Sequence, residues 1–261
     1  MREHHRRAID RLTVELEADP RFLAALLAGS IARGTEIEDS DVDLILIATP
    51  EEYALRVPEA DFSYLNTDVC DYEGGYAEAK VVPLSYLEEV AERGSEPARS
   101  AFVGASILCS RIPELESLLE RTTAYPESRR IENVRSFCAQ MMIWFWYISE
   151  AEKRSDRYLL LRSVSEFGLF AGRLILAHNR ILYPYHKWFR HELEQAPDKP
   201  EELTEKLDHL LAEPSLENAT PVLGAVMNFR EWEQPARGFS GQFMEDSEWP
   251  WRRGAASVAD R

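Results

Sequence analysis

Two apolar runs separated by a short polar spacer constrain this chain more than any other feature. The segment from Leu27 to Ala48 reads LAGSIARGTEIEDSDVDLILIA: one run closes on Gly29-Ser30, ten residues follow, and Asp41-Val42-Asp43-Leu44 opens the next. Alternate side chains of a strand face opposite sides, so Asp41 and Asp43 share one face while Val42 and Leu44 occupy the other. Two carboxylates side by side repel unless a cation fills the gap, and oxygen-only ligands select a hard ion such as Mg²⁺. Gly29 lets a phosphate approach the backbone, and Ser30 offers a hydroxyl where the free N–H groups of a helix start favour an anion. A phosphate cradle and a metal site are therefore expected close together.

The pattern apolar-Gly-Ser, ten-residue spacer, Asp-apolar-Asp-apolar resembles the signature of the nucleotidyltransferase superfamily that includes DNA polymerase β and the aminoglycoside nucleotidyltransferases. A lone Asp-x-Asp would be a weak signal; here the Gly-Ser, the spacer length and both flanking runs agree. The resemblance covers about residues 20 to 95 and is faint beyond them. It implies Mg²⁺ as cofactor, ATP or another nucleoside triphosphate as co-substrate, and a third carboxylate on a strand beside the Asp-x-Asp strand. It also implies a lysine contributed by a helical domain to the triphosphate.

The third carboxylate is sought in Phe62 to Leu84, where two strands are expected around Thr67 to Tyr72 and Tyr76 to Val82. Glu73-Gly74-Gly75 between them reads as a hairpin. Tyr76, Glu78, Lys80 and Val82 then share one face, and Glu78 is the best match; Asp68 and Asp71 compete for the role, and Glu78 as a plain solvent-facing residue stays open. For the lysine, Lys187 in Tyr183-Pro184-Tyr185-His186-Lys187-Trp188 is the first candidate and Lys80 the second. The competing reading of that cluster is a loop-helix junction packed by aromatics, with Lys187 in water.

Composition narrows the partners. Of 261 residues, 46 are acidic and 30 basic, a net charge of −16 that repels a phosphate backbone and disfavours a nucleic-acid substrate. The same field draws cations, so the acceptor is expected to be a small, cationic, hydroxyl-bearing molecule resembling an aminoglycoside, with Glu150, Glu152, Asp156 and Glu166 as amine-binding carboxylates. Three cysteines, Cys70, Cys109 and Cys138, show no metal spacing and suit reduced, packed thiols. Six scattered histidines give no zinc pattern. With no apolar stretch of membrane-spanning length and no signal core, the expected setting is soluble and cytoplasmic, with no membrane partner.

In chain order, helical periodicity marks residues 3 to 18, strand character marks Phe22 to Ala28 and Asp41 to Ala48, and Pro50 starts a short helix. Helices are expected over Ser85 to Arg93, Glu96 to Ala105 and Ile112 to Glu120. Thr122 to Glu127 breaks the pattern. Two long helices follow, one with Ile131, Val134, Cys138, Met141, Phe145 and Ile148 on its stripe, the other from Asp156 to Arg180. Glu201 to Ala212 and Ala219 to Glu233 complete an expected bundle. Within Gln234 to Arg261 only Trp249-Pro250-Trp251 is expected to dock.

The expected fold is α+β: a mixed-sheet nucleotidyltransferase domain at 1 to 123, a helical bundle at 124 to 233 and a tail at 234 to 261. The expected reaction is Mg²⁺-dependent transfer of a nucleoside monophosphate to a hydroxyl with release of pyrophosphate. Asp41, Asp43 and Glu78 would serve as metal ligands and catalytic groups, and Gly29 and Ser30 with the lysines would hold the phosphates. The alternative is a nucleotide-binding regulatory or antitoxin-like protein that acts through a protein partner; it needs fewer metal ligands.

Overall fold

The computed structural model describes residues 1–254 and shows an α+β chain, with a mixed five-stranded sheet in its first half and helices in its second. One compact unit spans Met1–Ala124 and another begins at Tyr125.

The first unit runs α1 (Glu3–Ala18), β1 (Phe22–Leu27), α2 (Gly29–Arg33), β2 (Val42–Ala48), α3 (Pro50–Arg56), β3 (Ser63–Asn66), β4 (Ala77–Pro83), α4 (Leu84–Arg93), α5 (Glu96–Ser100), β5 (Ser106–Ser110) and α6 (Leu115–Thr123). The strand order is β3-β4-β2-β1-β5. Among the described residues only β2 and β4 pair in parallel; β1 is antiparallel to β2 and β5, and β3 is antiparallel to β4.

Alternation divides the sheet into two faces. Val42, Leu44 and Leu46 with Ala77, Ala79 and Val81 pack into the cluster that holds Ala8, Ile9, Leu12 and Leu16 of α1. Ile45 and Ile47 pack instead with Leu87 and Val90 of α4 and Leu115 and Leu118 of α6. Each fully buried aliphatic side chain contributes roughly 1.5–3 kcal/mol, so both faces of β2 are strongly specified. Asp43 lies at the start of β2 and Asp41 just before it, both on the Ile45 side.

A buried cation closes this unit. Arg99 is 4 % exposed and donates to the carbonyls of Ala91, Gly94, Arg121, Thr122 and Ala124, at the C-terminal ends of α4 and α6. Those carbonyls have no helical partner of their own, and they solvate a guanidinium that would otherwise be costly to bury.

The second unit opens with α7 (Glu127–Arg154) and α8 (Arg157–Asn179), followed by α9 (His186–Gln195), α10 (Leu203–Ala212), α11 (Leu216–Phe229) and α12 (Gly238–Phe243). The α7–α8 link is short because Ser155 adopts a left-handed φ of 53° and Asp156 caps α8 by accepting from the Leu159 amide. A short link makes the pair antiparallel. Val134, Cys138, Met141 and Ile148 meet Phe167, Ala171 and Leu174 in the core, as their helical spacing predicts. No helix among the described residues is long and apolar enough to cross a membrane.

Several expectations need correction. The strand expected at Thr67 to Tyr72 lies earlier, at Ser63–Asn66, and residues 67–76 form the connection to β4. The helical reading of Glu96 to Ala105 ends at Ser100, and Ser106–Ser110 is an edge strand that sequence periodicity missed. Its side chains are only half-buried or exposed, so it carries no strong alternation. Tyr183 to Trp188 is a loop-helix junction, one of its two expected readings: residues 181–185 are irregular and α9 begins at His186, a helix that sequence periodicity missed. After Gln234, docking falls to buried Phe243 against Trp144 and Tyr147, while Trp251 is exposed; part of that segment, 255–261, lies outside the described residues.

Candidate active site

Asp41, Asp43 and Glu78 each present a carboxylate oxygen, and the three oxygens lie within 4.8 Å of one another. The parallel register places Asp43 directly beside Glu78, and Val42 beside Ala77. Asp41, just before β2, projects from the same face as Asp43, while Val42 between them is fully buried on the other. Asp41 and Asp43 are half-buried and Glu78 is exposed.

Gly29 stands against this cluster with φ +65°, and a Cβ built on it would lie 1.8 Å from Asp43 Oδ2. The Ala28 amide donates to the Asp43 carbonyl at 2.9 Å, which ties the end of β1 to the start of β2. Glycine is required here twice over, by its backbone conformation and by the space Asp43 occupies. Ser30, in the first turn of the short α2, has its Oγ 3.4 Å from Ser40 Oγ, so the Gly-Ser corner and the residue preceding Asp41 meet.

Two tyrosines frame the carboxylates, and sequence reasoning missed both as site residues. The Tyr76 phenol stands beside Asp41, and its interaction with that carboxylate, with the negative field of Glu78 and Asp43 added, pushes the phenol above its ordinary value. The signal for Tyr76 was present, since it lies two residues before Glu78 on the same strand face. Tyr72 donates to the Ser40 carbonyl at 2.7 Å and so braces the residue before Asp41. Burial raises its phenol well above the ordinary value. No sequence pattern announces that contact, because Tyr72 arrives from the irregular 67–76 connection. Next to it the ring of buried His5 lies 5.2 Å from Tyr72, and burial lowers its pKa.

The competing carboxylates are engaged elsewhere. Asp71 accepts a two-point fork from Arg7 and a further bond from Arg11; the Arg7 bonds hold its carboxyl below the usual range. Asp68 sits in the exposed connection, its carboxylate accepting from the Thr67 hydroxyl at 3.3 Å. Lys80 lies two residues beyond Glu78 on the same face of β4 and is exposed.

Lys187 belongs to the second unit, exposed in the first turn of α9 and 5.9 Å from the Trp188 ring. The cluster around it is largely packing: Tyr183 is buried, shares a hydrogen bond with His186 Nδ1, and lies under the Arg173 guanidinium. The four carboxylates expected to bind amines are all occupied locally. Glu150 pairs with Lys153 and Arg154, Glu166 pairs with Arg162, Glu152 accepts from the Leu216 amide, and Asp156 caps α8.

No protein-family model matches the chain, and no curated protein matches it. Among solved structures, the chain is similar to the crystal structure of a nucleotidyltransferase-like protein from Exiguobacterium sibiricum 255-15. The two are 13% identical over 94% of this chain and 78% of that one, with a TM-score of 0.49.

Proposed function

We propose that the chain is a divalent-metal-dependent nucleotidyltransferase that moves a nucleoside monophosphate, AMP from ATP, onto a hydroxyl of a small acceptor and releases pyrophosphate. The observation that carries this reading is the convergence of Asp41, Asp43 and Glu78, whose oxygens lie within 4.8 Å of one another beside a side-chain-free Gly29. The set fits a hard cation. Ligand bonds of roughly 2.1–2.5 Å let one ion reach oxygens about 4–5 Å apart, and all three donors are carboxylates. When bound, Mg²⁺ supplies neutralisation of the triphosphate and a lowered pKa for the attacking hydroxyl.

The chain's own groups divide the remaining work. Asp41 and Asp43 would hold the ions, with the Tyr76 phenol beside Asp41. Glu78, the most exposed of the three, completes the ligand set and takes the acceptor's proton on a carboxylate oxygen. Gly29 keeps the corner open for the phosphates, with the Ser30 hydroxyl and neighbouring amides as donors. Lys80 and Lys187 are the candidate cations for the remaining phosphate charge. The binding-only regulatory reading would need fewer metal ligands than this set supplies, so the third carboxylate favours transfer.

The test is a screen of hydroxyl-bearing acceptors with labelled nucleoside triphosphates and Mg²⁺, reading labelled product and pyrophosphate together. Labelled product with stoichiometric pyrophosphate supports the proposal. Tight nucleotide binding with no pyrophosphate from any acceptor would overturn it and leave the regulatory reading.

A further inference from the structure

The second unit contains a cavity of about 820 Å³ that the proposed chemistry does not use. It lies between α7, α8 and the segment after α12, and that volume suits a drug-sized ligand. Its walls are aromatic: Trp144, Tyr147, Phe170 and Phe243 all line it. The Phe243 ring meets Trp144 edge-on, with centroids 5.9 Å apart.

The cavity is built rather than loose. Gln140 is only 6 % exposed; its side-chain oxygen accepts from the Trp144 indole N–H at 3.1 Å, and its amide donates to Ser247 Oγ at 2.7 Å. One buried amide thus fixes the orientation of the principal ring and pins the segment that forms the opposite wall. Pre-set rings lower the ordering cost of binding.

The charges lining the cavity are unbalanced. Arg162 is the sole lysine or arginine among the lining residues, and Glu166 pairs with it at 2.8 Å. Asp246 and Glu248 remain without a cation among the described lining residues, and Asp246 accepts a neutral amide bond from Gln242. The Arg162 guanidinium also lies 5.8 Å from the Trp144 ring, so that ring already takes a cation at its edge of the cavity. Aromatic faces attract cations, and carboxylates with no cation among the lining residues add to the attraction.

We propose that this cavity is a binding site for a rigid, flat organic cation, its body against the wall that Trp144 and Phe243 form together and its charge toward Asp246 and Glu248. The site is independent of the nucleotidyl-transfer reading, since its residues belong to neither the carboxylate cluster nor the phosphate corner.

The test uses the full chain and two fluorescent probes: berberine, a flat quaternary cation, and 8-anilinonaphthalene-1-sulfonate, an anion that also seeks apolar surface. Berberine should bind at one site per chain, weaken at least tenfold in the Asp246→Asn/Glu248→Gln double variant and in Trp144→Leu, and weaken with rising salt. The double variant changes charge with little change of shape, so it remains decisive even if Trp144→Leu proves unstable. Asp43→Asn should leave berberine binding unchanged, which separates this site from the transfer reaction. The proposal is overturned if the anionic probe binds as tightly as berberine, or if the double variant binds berberine like the parent.

Discussion

The Asp43 carboxylate occupies the space into which any side chain at position 29 would grow: a Cβ on Gly29 would stand 1.8 Å from Asp43 Oδ2. Gly29→Ala therefore displaces a proposed metal ligand and also forces alanine to φ +65°, a conformation that costs roughly 1–2 kcal/mol. The variant should lose transfer activity and melt lower. Full activity, measured by pyrophosphate release, would show that Asp43 does not need its present position.

Asp41→Asn and Asp43→Asn should each abolish turnover without harming the fold. Like charges this close raise the energy of the metal-free protein, so removing one should hold or raise the melting temperature in chelator. Mg²⁺ should stabilise the parent but neither variant, as linkage requires of a ligand that binds only the native state. Tyr76 provides a spectroscopic check. Its phenol is raised by the Asp41 carboxylate and by Glu78 and Asp43 around it, so Mg²⁺ should lower its titration midpoint, read as the difference between the parent and Tyr76→Phe.

Glu78→Gln should retain nucleotide binding and lose most of the chemical step, because binding needs mainly the ion on the triphosphate. Asp71→Asn is the matched comparison. It breaks the fork from Arg7 and the bond from Arg11, so it should cost a little stability and no activity. The reverse pattern would place the third ligand on the connection rather than on β4.

Replacing a lysine that contacts the triphosphate should weaken ATP by about 1.5–3 kcal/mol, roughly ten- to a hundredfold. Lys80→Ala and Lys187→Ala, compared by equilibrium binding of ATP with Mg²⁺, assign the role. A lysine whose removal leaves the ATP constant unchanged is a solvated side chain.

Cys138 is fully buried, and burial pushes its thiol up from 9.0 to about 12. The neutral thiol is favoured in the fold, so its contribution to stability is complete below about pH 9 and is lost as pH rises toward 12. The slope approaches about 1.4 kcal/mol per pH unit in that window. Urea unfolding of the parent and Cys138→Ala across pH 8 to 11 should show their stability difference shrinking as pH rises. A difference independent of pH would mean that the thiol is not held neutral.

Asp41, Asp43 and Gly29 were legible in the sequence because strand alternation and a positive-φ glycine leave marks within a few residues. Glu78 was legible through the strand face it shares with Tyr76, Lys80 and Val82 and through the third carboxylate the resemblance implies, although the preceding strand was placed several residues too late. Ser63–Asn66 has a half-exposed edge pattern that periodicity reads as loop. Tyr72 and Ser40 were not legible, since their bond joins positions 32 residues apart through irregular backbone. Glu152 and Asp156 misled for a related reason: a carboxylate that caps a helix and one that waits for an amine are the same letters.

The parallel pairing of β2 with β4 sets Asp43 opposite Glu78 and packs Ala77 and Ala79 into the α1 side of the core. A slip by one residue would set Asp43 beside an alanine and drive the Glu78 carboxylate into that core, since each step along a strand reverses its faces. The apolar interior thus proofreads the chemistry: a misaligned sheet cannot close, and any molecule that has buried its alanines already has its three acids in place. Selection for stability and selection for ligand geometry act here on one and the same alignment, so substitutions that loosen β4 should cost metal affinity even when they touch no acid.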